Sequence, residues 1–157
     1  MNVFGLAISR GQIVSPATDA THMMSLLLTT NNQATFAPGN ASSIPTEGIY
    51  SAISGNYLLL NEGVNVGVND LNDITDPRTA IGLSEDKRYV FLMTIDGRQG
   101  ETWSYGANFF QTAAWLARFG AWNGFNVDGG PGETQFFVSL EDTLMRVFAS
   151  DAIKSML

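Results

Sequence analysis

Cysteine is absent from the sequence. That excludes disulfides, thiolate nucleophiles and cysteine-ligated zinc together, and leaves the redox compartment open. Histidine occurs once, at His22. A Ser-His-Asp triad would need it, and no Gly-x-Ser-x-Gly elbow is present to pair with it. A lone histidine at a surface or core edge is the simpler reading. Positive charge is scarce: 8 Lys+Arg stand against 15 Asp+Glu, for a net charge of −7. Without a basic footprint the chain is not built to displace counterions from nucleic acid or to settle on an anionic membrane. A small anionic ligand stays compatible, because one local arginine pair outweighs the global charge. Long apolar runs are missing too. Clusters such as Met23 to Leu28, itself interrupted by Ser25, are far too short to span a bilayer. Met1 to Gly5 has no basic segment and opens no sustained apolar stretch of the kind a secretory leader needs.

What is present is a core. Hydrophobic residues make up 45% of the 157 residues and charged residues 15%, the reverse of a disordered composition. The length suits one domain, 1–157, that buries roughly two-thirds of its unfolded surface. The 16 glycines and 10 phenylalanines point to a turn-rich fold with an aromatic interior.

Along the chain, residues 4–14 alternate loosely and break at Gly11, which reads as a hairpin. It starts so near the first residue that an N-terminal segment is expected to be missing. Residues 22–37 hold a Thr-flanked apolar run and an Asn31-Asn32 turn, a second hairpin, with a helix over 20–28 as the alternative. Residues 49–60 form a further pair of strands, closed by a turn at Asn61-Glu62-Gly63. Residues 65–76 are Asn- and Asp-rich but lack the sixth-position glycine and terminal glutamate of a calcium loop. Residues 78–83 and 89–95 are strands. The second, Tyr-Val-Phe-Leu-Met-Thr-Ile, is continuously apolar and is expected at the centre of a sheet, buried on both faces. The main helix is predicted over 108–119, with Asn108 as N-cap, Gln111 at capping-box spacing and Gly120 at the C-terminal cap. Strands follow at 125–127 and 134–140, and the tail 141–157 reads as helical or ragged. The fold class is α+β (mixed α/β): a single domain with a mixed, mostly antiparallel sheet and one main helix.

The chemistry lies at strand ends. Arg78 follows Pro77 at the start of one strand. Asp96-Gly97-Arg98 ends the apolar strand, and Asn126-Val127-Asp128-Gly129-Gly130 ends the strand after the helix. Arginines placed this way can clamp a phosphate or carboxylate, and a neighbouring carboxylate can serve as acid, base or nucleophile. Taken singly, Asp96 and Asp128 also read as Asp-Gly turn residues. Gly129-Gly130-Pro131-Gly132 is no P-loop, because no Lys-Ser/Thr follows. Trp103 and Tyr105, just before the helix, either pack into the core against it, which is the favoured reading, or stack on a sugar ring.

Four ordered motifs over residues 50–133 resemble the phosphodiester glycosidase family. They are Ser51-Ala52-Ile53-Ser54-Gly55 with Leu58-Leu59-Leu60-Asn61-Glu62-Gly63, then Pro77-Arg78-Thr79-Ala80-Ile81-Gly82, then Thr94-Ile95-Asp96-Gly97-Arg98. The fourth is the helix leading to Gly120-Ala121 and Gly124-Phe125-Asn126-Val127-Asp128-Gly129-Gly130. The resemblance implies a hydrolase that cleaves the sugar C1–O bond of a sugar-1-phosphodiester, in glycan or exopolysaccharide metabolism. Asp128 and Asp96 become the acid/base candidates. Arg78 and Arg98 would bind the phosphodiester, and Asn126 would meet the sugar or orient Asp128. Gly129 and Gly130 would let backbone N–H groups approach the anion, with Thr79 and Glu133 as further substrate-binding positions. After Asp-Gly-Gly the family continues with Gly-Ser and Thr, whereas this chain reads Pro131-Gly132-Glu133-Thr134 and adds a carboxylate. The alternative is a catalytically silent carbohydrate- or sugar-phosphate-binding module on the same scaffold. No metal or cofactor is called for. The implied partner is a phosphodiester-bearing small molecule or glycan, and the resemblance implies an extracytoplasmic setting.

Overall fold

The computed structural model describes residues 5–16, 24–38, 44–68, 74–100, 103–128, 136–140 and 143–147. Its first half is a run of short strands: β1 (Ala7–Ser9), β2 (Gln12–Ser15), β3 (Met24–Thr29), β4 (Ala34–Pro38) and β5 (Ile49–Gly55). They pair antiparallel in the order β2-β1-β5-β3-β4. Both predicted hairpins are present, and residues 24–28 extend as strand rather than coil as helix. The second half gives β6 (Tyr57–Asn61), β7 (Val64–Asn65), β8 (Arg78–Leu83), β9 (Val90–Ile95), α1 (Phe109–Arg118) and β10 (Asn123–Asp128). These strands form another antiparallel sheet, ordered β7-β6-β10-β8-β9. Residues 136–140 (β11), expected as strand, pair as a hairpin with 143–147 (β12), which is strand where helix or ragged coil was expected.

The single sheet expected from the pattern is therefore two. The α+β class holds, with strands dominating. The division falls at Gly55-Asn56, where the chain leaves the first sheet and enters the second. A Cβ on Gly55 would sit 2.1 Å from the Phe125 ring and 2.3 Å from the Asn126 carbonyl oxygen. Only a residue without a side chain lets the corner pass this close to β10.

Three apolar clusters hold the layers. Leu59, Leu60, Ala80, Ala113, Leu116 and Ala121 bind α1 to the second sheet. Leu26, Ala34, Ile81, Leu83 and Phe125 fill the space between the sheets, with Phe36 edge-on to Phe125 at 5.2 Å. Leu6, Ile8, Leu27, Ile49 and Ala52 form the third cluster, around the first sheet. The order is helix, sheet, sheet.

The strand expected at the centre sits at an edge. β9 is the outermost strand of its sheet, and Val90 and Leu92 are exposed. The buried position belongs to its neighbour β8, all six residues of which are buried. An apolar run reports that a strand can be covered, not that it is. On β9 the helix covers Phe91 and Met93 and leaves the alternate residues open.

Helix α1 starts and stops where its sequence says. Asn108 Oδ1 accepts from the Gln111 N–H at 2.8 Å, and Gln111 Oε1 accepts from the Asn108 N–H at 3.0 Å, a complete capping box. At the far end Gly120 takes φ +103°, and the Ala121 N–H returns to the Leu116 carbonyl at 3.1 Å in a Schellman closure. Asn108→Ala removes the first cap and is expected to cost about 1 kcal/mol, read as a fall in the urea midpoint at unchanged slope.

Candidate functional site

The ladder of the second sheet gathers the predicted strand ends. Arg78 at the start of β8 faces Ile95 at the end of β9. On its other side β8 pairs with β10, with Ala80 opposite Asn126 and Thr79 opposite Asp128. A bulge between Asn126 and Asp128 bends the strand at this point. One end of one sheet therefore carries Arg78, Thr79, Asn126 and Asp128, with Asp96 and Arg98 on the segment leaving β9. Side-chain detail for Asp128, and Gly129, Gly130, Glu133 and His22 altogether, lie outside the described residues.

Arg78 is buried, at 8% exposure. Its Nε donates to the Ala107 carbonyl at 2.8 Å and an Nη to the Ile74 carbonyl at 2.8 Å, while the guanidinium stacks 4.1 Å over the Phe109 ring. Tyr57 stacks on Phe109 in turn, at 4.3 Å between ring centres. Arg78 thus fixes a positive charge in the wall of the site and straps two connecting segments to β8.

Arg98 holds a different position. Its side chain is 46% exposed, and its Nε lies 2.7 Å from Asp76 Oδ1. The residue takes φ +59°, a left-handed conformation that a branched or bulky residue adopts only when held there. The hydrogen bond from Arg98 holds the Asp76 carboxyl below its ordinary value; burial opposes it, and the charges of Arg98 and Arg78 add smaller lowering effects. Asp76 raises the Arg98 guanidinium by the same bond. A depressed carboxyl stabilises the fold above its unfolded pKa, here 3.8, and loses that contribution as pH falls through the folded value. Wild-type protein is therefore expected to lose melting temperature more steeply below about pH 4 than Asp76→Asn does. Melting curves across that window check it.

Residues 96–100 and 103–107 are tied to each other. Ser104 Oγ donates to the Asp96 carbonyl at 2.6 Å, and the Gln99 N–H donates to the Ser104 carbonyl at 2.9 Å. Asp76 and Ala107 exchange backbone bonds at 3.2 and 3.0 Å. Gly106 permits that bridge, because at φ +100° its Cβ would lie 2.3 Å from the Asp76 carbonyl oxygen. Ser104 points inward, and its neighbours Trp103 and Tyr105 are 69% and 58% exposed. Core packing, the favoured reading for these aromatics, is overturned: both stand at the surface.

Two groups at this end lack partners. Among the described residues, the buried side-chain polar atoms without a hydrogen bond are Thr79 Oγ1 and Asn126 Oδ1. The residues are 2% and 0% exposed. Leaving such an atom unmet costs about 1–3 kcal/mol, and both occur on neighbouring rungs of the β8–β10 ladder. The other end of the Asn126 amide is met: Nδ2 donates to Asn56 Oδ1 at 2.9 Å. Sequence reasoning missed Asn56, Asp76, Ser104 and Phe109. The first meets its partner across 70 residues and the second across 22, distances at which no local pattern signals contact.

These features make a helix–sheet–sheet arrangement with a candidate site at one end of the second sheet, where Arg78, Thr79, Asn126 and Asp128 lie on adjacent strands. The chain belongs to the phosphodiester glycosidase family, which it matches over residues 2–153. Among solved structures it is similar to the zebrafish N-acetylglucosamine-1-phosphodiester alpha-N-acetylglucosaminidase catalytic domain auto-inhibited by pro-peptide. The TM-score is 0.64 at 21% identity, over 82% of this chain and 46% of that one. That likeness concerns the fold, and this chain spans less than half of the zebrafish one. A hypothetical protein from Synechocystis aligns at 17% identity over 71% of this chain and 29% of its own, with a TM-score of 0.42. A local stretch of 29 residues, 18% of this chain, is 66% identical to the protein translocase subunit SecA of Rickettsia typhi, of which it spans 3%.

Proposed function

We propose that the domain hydrolyses the C1–O bond of a sugar-1-phosphodiester. The observation that carries this reading is the buried, unpartnered Asn126 Oδ1, which lies on the same face of the β8–β10 ladder as Arg78 and one rung from Asp128. Family membership and the zebrafish fold likeness support it. In this reading Arg98, on the open side, faces the phosphodiester, and buried Arg78 supplies fixed positive potential. Water adds to C1 as the C1–O bond breaks, and the proton it gives up passes to a carboxylate, Asp128 or Asp96. The electron pair leaves on a phosphate oxygen. Phosphate is already a stable anion, so the leaving group needs less help from a general acid than an ordinary glycoside does. The oxocarbenium-like charge at C1 is stabilised by the other carboxylate. Gly129, Gly130 and Glu133 complete the proposed substrate contacts.

A second reading is a binding module without turnover. The observation that favours it is that Arg98 is already paired with Asp76 and Arg78 already bonded to two carbonyls. One experiment separates the two. Purified protein is incubated with a panel of sugar-1-phosphodiesters, α-N-acetylglucosamine-1-phospho-mannose included, and the anomeric proton is followed by NMR. Release of free sugar is the expected result, and the first anomer to appear gives retention or inversion. Line broadening without release establishes the binding module instead.

A further inference from the structure

Asn126 is wholly buried, yet its carboxamide has one partner among the described residues. That partner, Asn56, is itself doubly tied to β10. Its N–H donates to the Asn126 carbonyl at 2.8 Å, and its side-chain oxygen accepts from Asn126 Nδ2 at 2.9 Å. Gly55 brings the corner that carries Asn56 into contact with β10. The bond to Asn56 decides which way the Asn126 amide faces. The bond to Asn56 takes one Nδ2 hydrogen, and Oδ1 is the buried atom with no partner among the described residues; Oδ1 can only accept.

A phosphodiester at neutral pH offers only acceptors. Oδ1 therefore repels it and pairs with a donor: a sugar hydroxyl or an acetamido N–H. From this we infer that Asn56 is a positioning residue. It holds the Asn126 carboxamide with its oxygen toward the ligand, which assigns the Asn126 position to the sugar and keeps the phosphate away from it. The inference rests on the sugar-phosphate reading of the site, but needs no turnover.

The test compares two probes, N-acetylglucosamine 1-phosphate and inorganic phosphate, each titrated by NMR into wild type, Asn56→Ala and Asn56→Asp. Asn56→Asp keeps an oxygen where Asn56 Oδ1 stands, and Asn56→Ala keeps only the backbone bond. Expected is about a tenfold loss of sugar-phosphate affinity in Asn56→Ala, with phosphate affinity changed less than twofold, and recovery of the sugar-to-phosphate ratio in Asn56→Asp. The Asn126 side-chain amide, assigned by its disappearance in Asn126→Asp, should exchange slowly with solvent in wild type and in Asn56→Asp and quickly in Asn56→Ala. Equal weakening of both probes in a folded Asn56→Ala overturns the inference, as does failure of folded Asn56→Asp to restore the ratio. Absence of sugar-phosphate binding in wild type overturns it too. Binding without hydrolysis sinks the hydrolase and leaves the role of Asn56 standing on the titrations.

Discussion

Asp128→Asn is expected to lower turnover of a sugar-1-phosphodiester by about 10²–10⁴-fold, the range for loss of a positioned general acid or base. Substrate affinity should move little. Asparagine keeps the shape of the side chain and removes only the ability to ionise and take a proton. The position supports a sharp effect. Asp128 ends β10 just past a bulge, opposite Thr79, and the bulge is what re-aims a strand end. Single-turnover kinetics with matched substrate titrations separate the two quantities. A variant as active as wild type would remove Asp128 from the chemistry, and Asp96 would be the next carboxylate to replace.

The second large effect is on stability. Phe125 is wholly buried, lies between the sheets and meets Phe36 edge-on. Gly55 is pressed against its ring from the corner between the sheets. Phe125→Ala leaves a cavity that neither sheet can close, because each is held by its own ladder. The expected cost is about 3–5 kcal/mol, or on the order of 10 °C in melting temperature for a chain this long. Calorimetry checks it. The residue sits beside Asn126, so the same change is expected to loosen the site before it unfolds the domain.

Much of this was legible along the chain. Asn108, Gln111 and Gly120 announced both ends of the helix, because caps are local chemistry. The hairpins at Gly11 and at Asn31-Asn32 were legible for the same reason, since a turn needs only its own residues. The strand-end residues of the candidate site could be picked out as motifs, and the ladder places Arg78, Thr79, Asn126 and Asp128 at one end of one sheet. What the sequence concealed was decided between segments far apart. Residues 89–95 look central because they are apolar, but β8 took the inside because its small residues let the helix lie against it. A Cβ on Gly82 would be 3.3 Å from Leu116 Cδ2 of the helix and 2.7 Å from Ala121 Cβ just beyond it. Nothing local marks Gly55-Asn56 as a corner between two sheets rather than an ordinary turn. The exposed Trp103 and Tyr105 follow from Ser104 turning inward to the Asp96 carbonyl, a bond that composition does not reveal.

The order β7-β6-β10-β8-β9 has a kinetic meaning. In this sheet the strand that arrives last in the chain lies in the middle. Until residues 123–128 are in place, the ribbon of β6 and β7 and the ribbon of β8 and β9 share no ladder. Folding must hold two hairpins apart and then thread a third partner between them, a search across distant segments that slows the rate-limiting step. The inserted strand is also the one that carries Asn126 and Asp128. Closure of the sheet and assembly of the site are thus one event, and a nascent chain released short of that strand has neither.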